Sequence, residues 1–281
     1  MSAPDLNGKI VTVFGGTGFV GRYIVAQLAA AGALVKVVTR HTPSAYFLRT
    51  YGNPGQIVPV YSRYESDSDL ARIVAGSFAV VNCLGILNES GKRSSFARLH
   101  TAIPAAIAKA CATAHISRLV HISALGVDRA KSAYAITKIL GESKVHQNFP
   151  SATILRPSVV FGPDDALFNR MAAIAAKAPF VPVVGDGSAR VQPVFVGDVG
   201  KAAAVVLARP DTARSVFELG GPRVYTYRQL AALVLSEIDR RKPIVGVPAG
   251  FMKLAGFFAQ QIARVGLVPP ITADQVDLMC H

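Results

Sequence analysis

Tyr134 and Lys138 stand one helical turn apart in SAYAITKILGE and therefore share a helix face. An ammonium beside a phenol favours the phenolate, which brings a tyrosine toward the range where it can give or take a proton near neutrality. A Tyr-x-x-x-Lys pair also arises by chance on exposed helices, so its weight comes from what precedes it. The run RLVHIS ends in Ser123, whose hydroxyl could orient a substrate carbonyl or hydroxyl. Farther upstream, VFGGTGFVGRYI repeats glycine every third residue, at Gly15, Gly18 and Gly21, between an apolar run and a helix-like run.

In that setting each glycine has a task. Gly15 permits a tight turn, Gly18 lets the backbone approach a diphosphate, and Gly21 allows close helix–strand packing, while the helix N-terminus supplies amide donors and positive potential. The chemistry implied is capture of a dinucleotide. Arg40 closes the next apolar run, VKVVTR, where sites that bind a ribose 2′-hydroxyl carry an acid. A guanidinium there suits a 2′-phosphate and favours NADP(H) over NAD(H). The alternative is an arginine that only faces solvent.

Alternating elements must position these residues. The runs KIVTVFG, ALVKVVTR, GQIVPVYS, FAVVNCLG, RLVHIS and SATILRPSVV alternate with helix-period segments such as Phe19 to Ala31 and Ser94 to Thr113. Continuous apolar strands with helical crossovers predict a parallel sheet covered on both faces. The fold class is α/β, a doubly wound parallel Rossmann sheet over residues 1–163, with ligands at the carboxyl ends of its strands. Residues 164–281 read as a smaller mixed C-terminal lobe, interleaved with the first, with helices at about Asp198 to Ala208 and Thr226 to Arg240. Phe251, Leu254, Phe258, Ile262 and Val265 fall on one face of a further amphipathic helix, which would pack on its own core or dock on a membrane or partner.

Composition narrows the class. With 51% hydrophobic residues, 281 residues can bury a large core. Cys83, Cys111 and Cys280 are too scattered for disulfides or a zinc site, and the six histidines show no ligand spacing. The first apolar run starts at Lys9, leaving no room for a leader and implying a cytosol-like compartment. No apolar stretch reaches the roughly 18 residues of a membrane-spanning helix. A net charge of +13 implies a positive field that attracts nucleic acid, anionic lipid or an acidic protein. Without a basic run or stacking platform, nucleic acid is the weaker option.

These residues together resemble the short-chain dehydrogenase/reductase superfamily in its extended and atypical branches, over nearly the whole chain. GGTGFVG is similar to the family's cofactor loop, NCLG to its fourth-strand turn, Tyr134 and Lys138 to its catalytic pair, and LRPSVVFGPDD to the segment beside the nicotinamide. The resemblance implies catalytic roles for Tyr134, Lys138 and Ser123. It implies cofactor contacts at Gly15, Gly16, Thr17, Gly18, Phe19, Val20, Gly21, Arg40, His41, Leu84, Gly85, Ser123, Tyr134, Lys138, Pro157 and Ser158, while the histidine and cysteine spacing points to no metal. Ser123 lies 11 residues before Tyr134, closer to the spacing of the single-domain branch, and His100 stands where many active extended members have asparagine.

HISALG, SAYAITKILGE, FPSATILRPSVVFGPDD and PPITADQVDLM further resemble the alpha-subcomplex subunit nine family of nucleotide-binding accessory subunits of respiratory complex I. That resemblance implies a peripheral, non-catalytic accessory or assembly subunit, with complex I subunits and an anionic membrane surface as partners. It would lie on the cytosolic face of the inner membrane, or the matrix face in a eukaryote. The intact Tyr134 and Lys138 keep a second reading open, a free NADPH-dependent oxidoreductase, epimerase or dehydratase. Both residues can equally be kept to bind the nicotinamide ribose.

Overall fold

Each of the six β-branched runs forms a parallel strand of one central sheet. The structure is a computed structural model that describes residues 4–248 and residue 250; the amphipathic stretch from Phe251 to Val265, with Cys280 and His281, lies outside them. The chain opens with β1 (Ile10–Phe14), α1 (Phe19–Ala30), β2 (Leu34–Thr39), β3 (Ile57–Tyr61), α2 (Asp67–Val74), β4 (Ala79–Asn82) and α3 (Ile103–Thr113). It continues through β5 (Arg118–Ile122), α4 (Ala133–Asn148), β6 (Thr153–Pro157), β7 (Val160–Phe161), α5 (Leu167–Lys177), β8 (Val181–Val184), β9 (Arg190–Val191) and β10 (Val194–Phe195). The last described elements are α6 (Val196–Ala208), β11 (Val216–Leu219), β12 (Tyr225–Thr226), α7 (Tyr227–Glu237) and β13 (Ile244–Val247).

The sheet has seven strands in the order β11-β6-β5-β4-β1-β2-β3, all parallel. Its strands are apolar on both sides because helices cover both. Val13, Val37, Val81 and Val120 meet α1 and the α6 residues Ala203 and Leu207. Phe14, Val80, Leu119 and Ile154 meet α2, α3 and α4 through Leu70, Ile107 and Val145. Burying each large aliphatic side chain contributes about 1.5–3 kcal/mol. The seventh strand and α6 both come from beyond residue 163, so the later part of the chain completes the sheet. It also builds a small core of its own from Ala175, Val181, Val183, Ala231 and Leu235, where α5, β8 and α7 meet.

Helix ends follow local chemistry. Ser66, Ser132 and Thr226 cap α2, α4 and α7, the last in a reciprocal box with Gln229. Arg118 reaches from β5 to the carboxyl end of α6 and donates to the carbonyls of Val206 (2.7 Å) and Arg209 (2.8 Å), satisfying acceptors the helix leaves open.

Two features depart from the sequence expectation. The expected helix over Ser94 to Thr113 is a wide π-type segment, Ala97–Ala102, followed by α3. There α4 crosses so closely that a Cβ on Gly141 would lie 3.0 Å from the carbonyl carbon of His100; local widening is how a helix absorbs such an approach. Thr42–Tyr51 forms an unanticipated 3-10 helix between β2 and β3. No described helix is long and apolar enough to cross a membrane.

Candidate functional site

The glycine loop joins β1 to α1 at the carboxyl edge of the sheet. Gly15 has φ +78°, in the left-handed region, and a Cβ there would lie 3.0 Å from the carbonyl of Cys83 and 3.1 Å from the Leu84 nitrogen. The loops after β1 and β4 therefore touch through glycine backbone. A Cβ on Gly16 would meet Val37 Cγ1 at 2.9 Å, and one on Gly21 would overlap Gly15 and lie 2.8 Å from Gly16 Cα. Gly18 is different: it precedes α1 with φ −72° and ψ 174°, and an added Cβ would meet only the Gly15 oxygen, at 3.3 Å.

No side chain caps α1, and no acid lies in its first turn, which begins with Phe19 and Val20. Its first amides and its positive end therefore have no side-chain partner, and the Gly18 Cβ position beside them and Thr17 is open apart from the Gly15 oxygen. These atoms fit the diphosphate of a dinucleotide. The register Phe14↔Val38 brings Arg40 and His41, just past β2, to the same sheet edge, and both are exposed.

Spacing had not singled out Arg22. One turn beyond Gly18, its Nη1 lies 3.3 Å from Asp164 Oδ2, and its guanidinium sits 5.4 Å from the Phe47 ring centre. It thereby ties the cofactor-loop helix to the segment after β7, 142 residues away.

Tyr134 and Lys138 enter from the first turns of α4. Lys138 is buried, and its Nζ donates to the Ile122 carbonyl at 3.1 Å. Gly85 lies against it, since a Cβ there would be 3.3 Å from Nζ. Burial lowers the ammonium to about 8, opposed by the negative charge of Glu142 one turn on. Tyr134 is half-buried, with its ring edge-on to His100 at 5.1 Å and to Phe96 at 5.9 Å.

The expected lowering of this phenol is absent. Burial pushes Tyr134 up to about 12, while the Lys138 ammonium is engaged by a backbone carbonyl. Ser123 is buried and its Oγ has no hydrogen-bond partner, although its amide donates to Leu155 at 2.7 Å. An orphaned hydroxyl at the carboxyl end of β5 fits a ligand carbonyl or amide.

His100 occupies the adjoining space. Its Nε2 lies 3.1 Å from both the amide nitrogen and the carbonyl oxygen of Ile86, and its Nδ1 lies 3.1 Å from Thr137 Oγ1. Burial, then the Lys138 charge, lowers its pKa to about 3, so the ring is neutral. Beside it His121 Nδ1 lies 3.1 Å from Asn82 Nδ2, whose Oδ1 accepts from the Leu84 amide at 3.1 Å. Pro157 and Ser158 end β6 at this edge, held by Leu125 and Leu219 at 2.9 Å each. A chain of contacts thus runs from Gly15 through Leu84 and Gly85 to Lys138.

The family described as the NAD dependent epimerase/dehydratase family matches residues 11–220. The sequence is 31% identical over 279 residues, 99% of this chain and 72% of the relative, to the NADH-ubiquinone oxidoreductase 40 kDa subunit, mitochondrial, of Neurospora crassa. It is 34% identical over 282 residues, 97% of this chain and 68% of the relative, to NADH dehydrogenase (ubiquinone) 1 alpha subcomplex subunit 9, mitochondrial, of Arabidopsis thaliana. Its fold is similar to that of the dTDP-glucose 4,6-dehydratase DesIV of Streptomyces venezuelae, solved with NAD bound, at a TM-score of 0.71 and 20% identity, covering 96% of this chain and 95% of the other.

Proposed function

The chain belongs to the NAD dependent epimerase/dehydratase family, and from that premise we propose that it is an NADP(H)-binding accessory or assembly subunit of complex I. The observation that carries the reading is its similarity, at 31% and 34% identity over nearly all of this chain and 72% and 68% of the relatives, to two mitochondrial subunits of that enzyme. The charge of +13 supports a place against an anionic surface, on the cytosol-like face of an energy-transducing membrane.

In this role the residues bind and hold. The amides at the start of α1 and the open backbone at Gly18 take the diphosphate, and Arg40 takes the 2′-phosphate by charge-assisted hydrogen bonds. Lys138 and Tyr134 hold the nicotinamide ribose, Ser123 orients the nicotinamide or a substrate carbonyl beside it, and Pro157 and Ser158 close the far side. The bound dinucleotide supplies a hydride donor or acceptor and stabilises the folded sheet by mass action, about 2.7 kcal/mol at a hundredfold excess over Kd.

A second reading draws on the orphaned Ser123 hydroxyl and on Tyr134 standing one helical turn from Lys138. A free oxidoreductase would use Tyr134 as its acid/base, with Lys138 and a bound ligand drawing the phenol down from its buried value. Gene deletion separates the two. Loss of complex I assembly and of NADH:quinone activity, restored by Tyr134→Phe but not by Gly18→Val, supports the accessory role. Normal assembly alongside loss of an unrelated metabolite moves the protein to the second reading.

A further inference from the structure

From Leu6 to Tyr64 the chain carries six cations, among them Arg22, Arg40, Arg49 and Arg63, and no aspartate or glutamate. Within this stretch lies the 3-10 helix Thr42–Tyr51, which packs on α1 and β3 and buries only Ala45 and Leu48. Three residues per turn align those two on the inner side. The same period stacks Tyr46 and Arg49 on an outer ridge, with the guanidinium 4.4 Å from the ring centre. Tyr46, Phe47 and Tyr51 are 48%, 41% and 41% exposed, and the last two rings meet edge to face. The result is a raised aromatic face on a stretch that carries no acid of its own, with Asp164 reaching its rim through Arg22 beside Phe47.

We propose that this outer face of Thr42–Tyr51 docks on an anionic phospholipid bilayer, its rings entering the headgroup layer and Arg49 meeting lipid phosphates. The inference rests on the proposed membrane-apposed role and names its surface. Tyrosine rings with an apolar body and a polar tip settle at such an interface. Positive charge spread over the whole chain, +13 in all, complements an extended anionic plane better than one acidic spot on a partner. Addition of a partner's strand is disfavoured beside this face: β3 is the free sheet edge, but Pro59 at its centre lacks the amide a ladder needs.

The test uses the full chain with NADPH and vesicles of phosphatidylcholine containing phosphatidylglycerol, against phosphatidylcholine alone. We expect binding to the anionic vesicles only, released by high salt. Arg49→Glu should weaken it about tenfold or more, and Tyr46→Ser with Tyr51→Ser should weaken it at unchanged charge. Thermal unfolding and dinucleotide binding, unaltered in both variants, show that the fold is kept. Equal vesicle binding by the variants and the unsubstituted protein would move the docking face elsewhere while leaving the membrane role standing. No vesicle binding by the unsubstituted protein would overturn lipid as the partner altogether, and loss of complex I association in the same variants would then assign the face to an acidic protein.

Discussion

Replacing Gly18 by valine should abolish dinucleotide binding and leave the fold almost untouched. Gly18 sits at φ −72° and ψ 174°, an ordinary extended conformation for valine, and its Cβ meets only one backbone oxygen, at 3.3 Å. A less favourable residue before α1 costs about 0.5–1 kcal/mol. The branched side chain would fill the space beside the first amides of the helix, where the proposed site puts the diphosphate. In the unsubstituted protein a hundredfold excess of NADPH over Kd should stabilise by about 2.7 kcal/mol, which raises Tm by about 5–10 °C for a chain of this size. Thermal unfolding with and without NADPH reads both quantities. Gly18→Val should keep an unliganded Tm within a few degrees of the original and show no ligand-induced rise. Gly21→Ala should instead lower the unliganded Tm, because its Cβ would overlap the Gly15 backbone, an overpacking of about 1–3 kcal/mol. A full NADPH-induced rise in Gly18→Val would refute the placement of the diphosphate over this glycine.

Arg40→Asp should weaken NADPH by about 1.5–3 kcal/mol while sparing NADH; equal affinities for the two cofactors in the unsubstituted protein, measured by calorimetry, would mean that Arg40 faces solvent. Acid should destabilise the protein through His100, which the unfolded chain protonates below 6.5 and the folded chain refuses until about 3. The unfolded state then binds the extra proton, so this group's contribution falls as pH drops below 6.5, by about 2 kcal/mol at pH 5. Urea unfolding at pH 7 and pH 5 measures the drop, and His100→Gln should reduce it, leaving the part due to the likewise neutral His121. Glu142→Ala should cost about 2–4 kcal/mol in the same assay, since buried Glu142 binds Arg156 Nη2 at 2.8 Å and leaves the guanidinium only the more exposed Asp128, at 2.9 Å, and Glu218, at 3.9 Å. A loss below 1 kcal/mol would show that Asp128 and Glu218 suffice.

Much of the sheet was legible because a parallel strand covered on both faces must be largely apolar, as Val11 to Phe14 and Leu119 to Ile122 are apart from the buried Thr12 and His121. The glycine loop and the Tyr134–Lys138 pair were legible for a related reason: their spacing is local, and the backbone converts it directly into proximity. What stayed hidden depends on distant parts of the chain. Nothing near Arg22 announces Asp164, and nothing near His100 announces Ile86 and Thr137 as its partners. The raised Tyr134 phenol is of the same kind, for sequence names the neighbouring lysine but not the burial that outweighs it. Thr42–Tyr51 escaped because two inward residues, Ala45 and Leu48, leave too faint a periodic trace.

The place of β11 in the sheet sets a schedule for the ribosome. β6 is complete at Pro157, but its outer edge stays unpaired until Val216 to Leu219 arrive, and the apolar face of α1 waits for α6 to end at Ala208. At about 5–20 residues per second, the strand follows roughly 3–12 s after its partner. During that interval the nascent chain holds a recognisable dinucleotide loop on an unfinished sheet, with an open strand edge and a bare helix side that attract chaperones or other nascent chains. A stalled or prematurely ended message in this window would yield a product prone to association.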